Sequence, residues 1–125
     1  MKTLSWLFVS ALVVACLSQP AQARPGYKTV LDDEAKGKKI EPVAAELKCN
    51  FCHVDKEAKK VRNTYGMALT KCGLTPEKFD ELKGDKDKLA GFVKEAMKKA
   101  EALKSPSGAT FGDLIKAGKA PGAAP

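Results

Sequence analysis

The sequence has few of the residues that most catalytic and binding sites need. It contains one histidine among its 125 residues, and only 6% of its residues are aromatic. There is no second imidazole and no acid tied to the first by spacing, so general acid–base catalysis has no obvious pair of groups and we expect a protein that is not an enzyme. The basic residues are not interleaved with aromatic ones, which argues against binding to nucleic acid.

Long apolar runs are also scarce. The main one lies at residues 4–16 and is shorter than the ~20 residues that a transmembrane helix needs. It follows Lys2 and precedes an Ala-Gln-Ala sequence at positions 21–23, a combination typical of an export signal. We therefore expect residues 1–23 to be a signal peptide and the mature protein to lie in the periplasm or an equivalent lumen. The alternative is a lipoprotein with Cys16 as its lipidated N-terminus.

Length and charge limit what the mature chain can be. Removal of the first 23 residues from 125 leaves 102, which suits one small domain at residues 24–125. Loss of Lys2 lowers the formal charge from +7 to +6, so the mature protein stays basic. This charge has two explanations: a solvated surface that keeps the protein soluble, or attraction to an acidic partner protein that weakens with salt.

The apolar pattern is helical throughout. No stretch alternates apolar and polar residues as a half-buried strand does, so we expect an all-α fold. Proline, glycine and mixed charges at residues 24–40 predict a loose N-terminal arm with at most a short helix at 30–35. Apolar spacing and capping residues predict helices at about residues 41–48, 61–72, 75–83, 85–104 and 110–117. Gly73 would end the helix at 61–72, and Thr75 and Thr110 would cap the starts of the helices at 75–83 and 110–117. Small residues at 119–125 predict a flexible tail.

The one histidine ends the sequence Cys49-Asn50-Phe51-Cys52-His53. Two thiols at this spacing reach the two vinyl groups of a haem, and the histidine that follows meets the iron from the same side. In an exported chain the motif predicts one covalent haem c, attached at Cys49 and Cys52, with His53 as the proximal iron ligand. Two alternatives remain: a redox-active disulfide between the two cysteines, and a zinc site that uses them with other ligands.

The mature chain has a third cysteine, Cys72, with no evident disulfide partner. Such a thiol is a liability in an oxidising compartment unless something occupies it, and the iron has a second axial position to fill. Helical spacing places Cys72 on one face with Tyr65 and Leu69, which we expect to pack against the haem. Met67 points the other way. We therefore predict Cys72 as the distal ligand, with Met97 as the alternative.

Other assignments of these residues stay open. A lysine, Tyr65 or no protein group at all could occupy the distal position. Cys72 could instead be a buried structural thiol or form an intermolecular disulfide, and Met97 could simply fill the core.

Around these positions the sequence resembles a known family. The resemblance rests on the haem motif with the Val54 that follows it, on Arg62-Asn63-Thr64-Tyr65-Gly66, on Leu69 and on Lys71-Cys72-Gly73. Over residues 47–74 the chain resembles the small monohaem c-type cytochromes of anaerobic ammonium-oxidising bacteria and related planctomycetes. These cytochromes are the subunits of a heterodimeric pair with His/Cys-ligated haems. The haem motif is common to all c-type cytochromes, so the Asn-x-Tyr-Gly sequence followed by the cysteine is the discriminating part.

The resemblance implies a small cytochrome-c-like domain with His53 as the proximal ligand and Cys72 as the distal one. It also implies a homologous haem subunit as partner in a hetero- or homodimer, and the anammoxosome as the compartment. Two functions are then expected. An anionic thiolate stabilises ferric iron, so the first is low-potential electron transfer with redox partner proteins. The second is binding or sensing of nitric oxide or carbon monoxide, which the resemblance implies could displace the thiolate on reduction.

Overall fold

The computed structural model describes residues 25–54 and 61–123. Residues 1–24, which include the predicted signal peptide and Cys16, lie outside this part of the chain, as do 55–60 and 124–125. The described part contains six α-helices, α1 at Pro25–Ala35, α2 at Glu41–Leu47, α3 at Thr64–Lys71, α4 at Pro76–Leu82, α5 at Lys86–Glu101 and α6 at Phe111–Lys116, and a 3₁₀ helix at Lys48–Phe51. Within these ranges the only strand-like pairing is two isolated β-bridges. The predicted all-α class is therefore confirmed.

Helix α5 forms the centre of the described structure. Its buried residues are Leu89, Val93, Ala96 and Ala100, which lie three or four positions apart and therefore share one helix face. Helices α1, α3, α4 and α6 all pack against α5. The apolar spacing predicted this helix correctly, although Leu103, which the same pattern included, lies beyond its end and is 40% exposed.

The N-terminal arm differs from its prediction. Residues 24–40 were expected to be loose with at most a short helix at 30–35, but α1 begins at Pro25 and packs on α5. Its apolar residues Tyr27, Val30, Leu31 and Ala35 are all buried. Gly26, which suggests a break, permits close packing instead, because a Cβ there would lie 2.7 Å from the Phe79 ring. Tertiary contact thus outweighs the low helix propensity of glycine.

Capping residues fix most of the remaining helix ends as predicted. Thr75 and Thr110 cap α4 and α6, with each hydroxyl accepting a hydrogen bond from the amide three residues on. Gly73, just after α3, has a φ of 107°, which is typical of a glycine that ends a helix, as predicted. Helix α3 starts at Thr64 and not at residue 61, because Asn63 is its N-cap.

The C-terminal tail also differs from its prediction up to residue 123. Pro121 is buried, and Thr64 and Ala123 exchange two hydrogen bonds of 3.0 Å each, one to the backbone and one to the threonine hydroxyl. These contacts anchor the tail beside the start of α3, so residues 119–123 are not a free end. None of the helices in the described part is both long and apolar enough to cross a membrane.

Candidate haem site

The two cysteines and the histidine of the haem motif lie in one tight turn, which we call the attachment turn and define as residues 49–53. The turn follows α2 directly, and the amides of Cys52 and His53 both donate to the carbonyl of Cys49, at 3.3 and 3.1 Å. Lys48, just before it, has a φ of 51°, a strained backbone region for a residue other than glycine. Cys49 and Cys52 are both free thiols.

The imidazole of His53 is oriented by a backbone carbonyl. Its Nδ1 lies 3.3 Å from the carbonyl oxygen of Val61. A carbonyl can only accept, so Nδ1 carries the proton and the lone pair is on Nε2. The same oxygen accepts the amide of Val54 at 3.1 Å, which ties residues 53 and 54 to residue 61. Metal-bound histidines are generally held by such a bond from the other ring nitrogen.

Asn63 joins the attachment turn to α3. Its side-chain amide donates to the carbonyls of Asn50 and Phe51 at 3.1 and 3.0 Å, while its side-chain oxygen accepts from the amide of Gly66 at 2.9 Å. Its backbone amide donates to the carbonyl of Cys52 at 2.9 Å. Asn63 is only 4% exposed, and one residue therefore makes four hydrogen bonds that fix the turn and cap the helix.

Gly66 allows the attachment turn to lie against the first turn of α3. A Cβ at this position would lie 2.1 Å from the carbonyl oxygen of Cys52, which is far inside contact distance. Glycine costs a helix about 1 kcal/mol relative to alanine, so its presence here reflects the close approach of the two backbones.

Tyr65 fills the space behind the turn. The residue is wholly buried, and its ring packs edge-on against Phe51 and tilted against Phe111, with centroids 5.6 and 5.4 Å away. Its hydroxyl is buried and has no hydrogen-bond partner among the residues that the structure describes. Burial raises the pKa of Tyr65 far above its ordinary value, and Cys52 and, more weakly, Cys72 raise it further through their charge. The hydroxyl therefore lies within electrostatic range of both cysteines.

The thiols differ in their surroundings. Burial raises the pKa of the Cys52 thiol to about 12, against the opposing effect of Lys28. Cys72 is the C-cap residue of α3 and is partly buried against the core, so it lies on the apolar side that the helical spacing predicts. Met67 is 43% exposed, as expected for the opposite face, and Met97 is partly buried against the core.

The structure brings some of the predicted site residues together and separates others. Cys49, Cys52 and His53 share the attachment turn at the N-terminal end of α3, and Cys72 lies at the C-terminal end of the same helix. Leu69 is buried in the core between them. Within residues 25–54 and 61–123, no three His, Cys, Asp or Glu side chains are close enough to hold a metal ion by themselves.

Sequence reasoning missed the structural task of Asn63 and the tail. An asparagine before an apolar helix is a known N-cap signal, so the cap could have been read from the sequence. The bonds from its amide to residues 50 and 51, and the packing of residues 121–123 beside it, join distant segments and have no local signal. Comparison with known proteins gave no match to a family model, to a curated protein or to a solved structure.

Proposed function

We propose that this chain is an exported monohaem c-type cytochrome. Cys49 and Cys52 would carry one covalent haem c, with His53 as the proximal iron ligand and Cys72 as the distal one. Its role would be low-potential electron transfer in a paired complex with a homologous haem subunit. The observation that carries this proposal is the Nδ1 hydrogen bond of His53 to the carbonyl of Val61, because metal-bound histidines are generally held by such a bond from the ring nitrogen that does not bind the metal.

Three further features of the residues fit a haem. Cys49 and Cys52 form no disulfide with each other in this structure, which is the arrangement that attachment requires. Asn63 donates hydrogen bonds to two backbone carbonyls of the attachment turn, which hold the backbone of the turn in place. The Tyr65 hydroxyl is buried and has no hydrogen-bond partner within residues 25–54 and 61–123, and an unpaired buried group of this kind suggests a missing polar neighbour. When bound, haem supplies a one-electron change between ferric and ferrous iron.

The chemistry of metal–thiol bonds is the basis for Cys72 as a thiolate ligand. A metal deprotonates a coordinating thiol outright, and an anionic ligand favours the ferric state. Met97, partly buried on α5, remains the alternative ligand.

The deciding experiment compares the oxidised protein with single variants. Intact mass and absorption should show one covalent haem in the exported, mature protein, and a protein of unmodified mass would end the proposal. Electron paramagnetic resonance should show a low-spin ferric thiolate signal that is lost in Cys72→Ala, together with a rise in midpoint potential. Met67→Ala is the matched control, because this sulfur is exposed and should leave the spectrum unchanged. A signal that survives Cys72→Ala and changes in Met97→Ala would transfer the ligand role.

A second function, binding of nitric oxide or carbon monoxide, is favoured by the position of Cys72. The residue caps the C-terminal end of α3, where the helix dipole disfavours negative charge. A thiolate held there would leave the iron more readily on reduction, which would open a site for a diatomic gas. Ferrous absorption spectra with and without each gas test this function, and spectra that do not change would exclude it.

A further inference from the structure

Three distant segments meet at Asn63: the attachment turn, the start of α3 and the tail, here residues 121–123. Thr64 donates its amide to the carbonyl of Ala123 and accepts the amide of Ala123 on its hydroxyl, both at 3.0 Å. Pro121 is buried. Gly122 lies directly on the Asn63 side chain, because a Cβ at Gly122 would fall 2.2 Å from the amide nitrogen and 2.4 Å from the amide oxygen.

The tail shields the hydrogen bonds that Asn63 makes. The bond from Asn63 to the carbonyl of Phe51 is buried, and the Asn63 residue is 4% exposed. Hydrogen bonds kept from water are stronger and hold their geometry better than exposed ones. Only glycine lets the tail lie this close to the amide, so a side chain at residue 122 would lift the tail or push Asn63 aside.

Asn63 is also connected to His53 through backbone hydrogen bonds. Its backbone amide bonds the carbonyl of Cys52, the residue before His53. Two residues earlier on the same segment, the carbonyl of Val61 accepts both the His53 ring and the amide of Val54. A shift of Asn63 would therefore move the acceptor that sets the orientation of the imidazole.

We propose that Asn63 is the positioning residue of the attachment turn, and that the tail is a strap that holds Asn63 in place. Through Asn63, residues 121–123 control the orientation of His53. The effect on the iron rests on the proposed haem attachment, whereas the strap itself rests only on the contacts of the protein.

The test uses the mature, haem-loaded protein and two variants of the strap. Gly122→Ala adds a methyl group where the Asn63 amide lies. Thr64→Val is milder and removes only the hydroxyl that accepts from Ala123. Gly26→Ala is the matched control, since its added methyl meets Phe79 and Leu89 on another helix contact.

Hydrogen exchange of the amides of Val54, Asn63 and Gly66 is the first measurement. We expect about tenfold faster exchange in Gly122→Ala and a smaller rise in Thr64→Val, since losing one net hydrogen bond changes an opening equilibrium by up to about tenfold. The second measurement is the ferric paramagnetic resonance spectrum, whose g values should shift in the strap variants and stay unchanged in Gly26→Ala.

The outcomes separate the two proposals. Exchange that is unchanged in both strap variants would overturn the strap, whatever the haem content. A spectrum that shifts equally in Gly26→Ala would also overturn it, because general destabilisation would then suffice. If Gly122→Ala does not fold, Thr64→Val decides by the same two measurements. A protein that carries no haem would contradict the proposed function, while exchange would still decide whether the strap exists.

Discussion

Replacement of Tyr65 by phenylalanine should stabilise the protein without haem and destabilise it with haem. The substitution removes one hydroxyl and keeps the ring, which stays packed between Phe51 and Phe111. In the described structure this hydroxyl is buried and has no hydrogen-bond partner. The change therefore tests a single atom whose partner, if one exists, is not supplied by the surrounding protein.

The magnitude follows from the cost of burying an unpaired hydroxyl. An unsatisfied buried polar group costs about 1–3 kcal/mol, so Tyr65→Phe should raise the free energy of unfolding of the haem-free protein by about 1–2 kcal/mol after the small loss of packing. For a domain of this size that is a rise of several degrees in Tm. If the haem or a water ordered by it accepts this hydrogen bond, the same substitution should lower the stability of the loaded protein by about 0.5–1.5 kcal/mol.

The assay is urea unfolding followed by far-ultraviolet circular dichroism, since the one tryptophan, Trp6, lies in the predicted signal peptide. A Cys49→Ser, Cys52→Ser background provides the haem-free protein. Tyr27→Phe is the matched control, because the Tyr27 hydroxyl donates to the carbonyl of Thr75 at 2.9 Å. Loss of this hydrogen bond should destabilise the haem-free and the haem-loaded protein alike. If Tyr65→Phe destabilises the haem-free protein as much as Tyr27→Phe does, the Tyr65 hydroxyl has a partner in the protein and the reasoning fails.

Three further changes test the attachment turn. Asn63→Ala should cost about 2–4 kcal/mol in urea unfolding, because it removes an N-cap and leaves two carbonyls without their donor; a cost below that of Tyr27→Phe would contradict this. Gly66→Ala should lower the Tm, because the new methyl group would overlap the carbonyl oxygen of Cys52. Its control, Gly91→Ala, lies in open space on α5 and should raise the free energy of unfolding by about 0.5–1 kcal/mol. Equal effects of the two substitutions on Tm would be inconsistent with a close approach at Gly66. In protein that is produced without haem but keeps Cys52, burial raises the pKa of this thiol to about 12, so its contribution to stability should be complete below the ordinary thiol pKa and should be lost as the pH rises toward 12. Unfolding curves of this protein that do not change across that range would contradict the prediction.

The features that the sequence predicted well are those set by neighbours in the chain. The apolar spacing of α5, the threonine caps of α4 and α6, and the glycine after α3 all act within a few residues, and their positions are confirmed. The composition around Gly26 and Gly122 predicts a loose arm and a flexible tail. In the structure each is a site of close contact, because the absence of a side chain permits packing as readily as it permits a bend. Which of the two applies depends on residues far away in the sequence, so local patterns could not decide it.

The Asn-x-Tyr-Gly sequence determines how the attachment turn packs against α3. Each of its three defined positions has a separate geometric task in the first turn of α3: Asn63 bonds the attachment turn, Tyr65 packs behind it and Gly66 makes room for its backbone. Cys72 caps the other end of this eight-residue helix, about 12 Å further along its axis at 1.5 Å per residue. Helix α3 therefore connects the segment that orients His53 to the proposed distal ligand. In the proposed haem-bound protein, a change in the tilt of α3 would therefore alter both axial ligands together. A sequence that keeps the haem motif but loses the hydrogen bonds of Asn63 would lack this coupling.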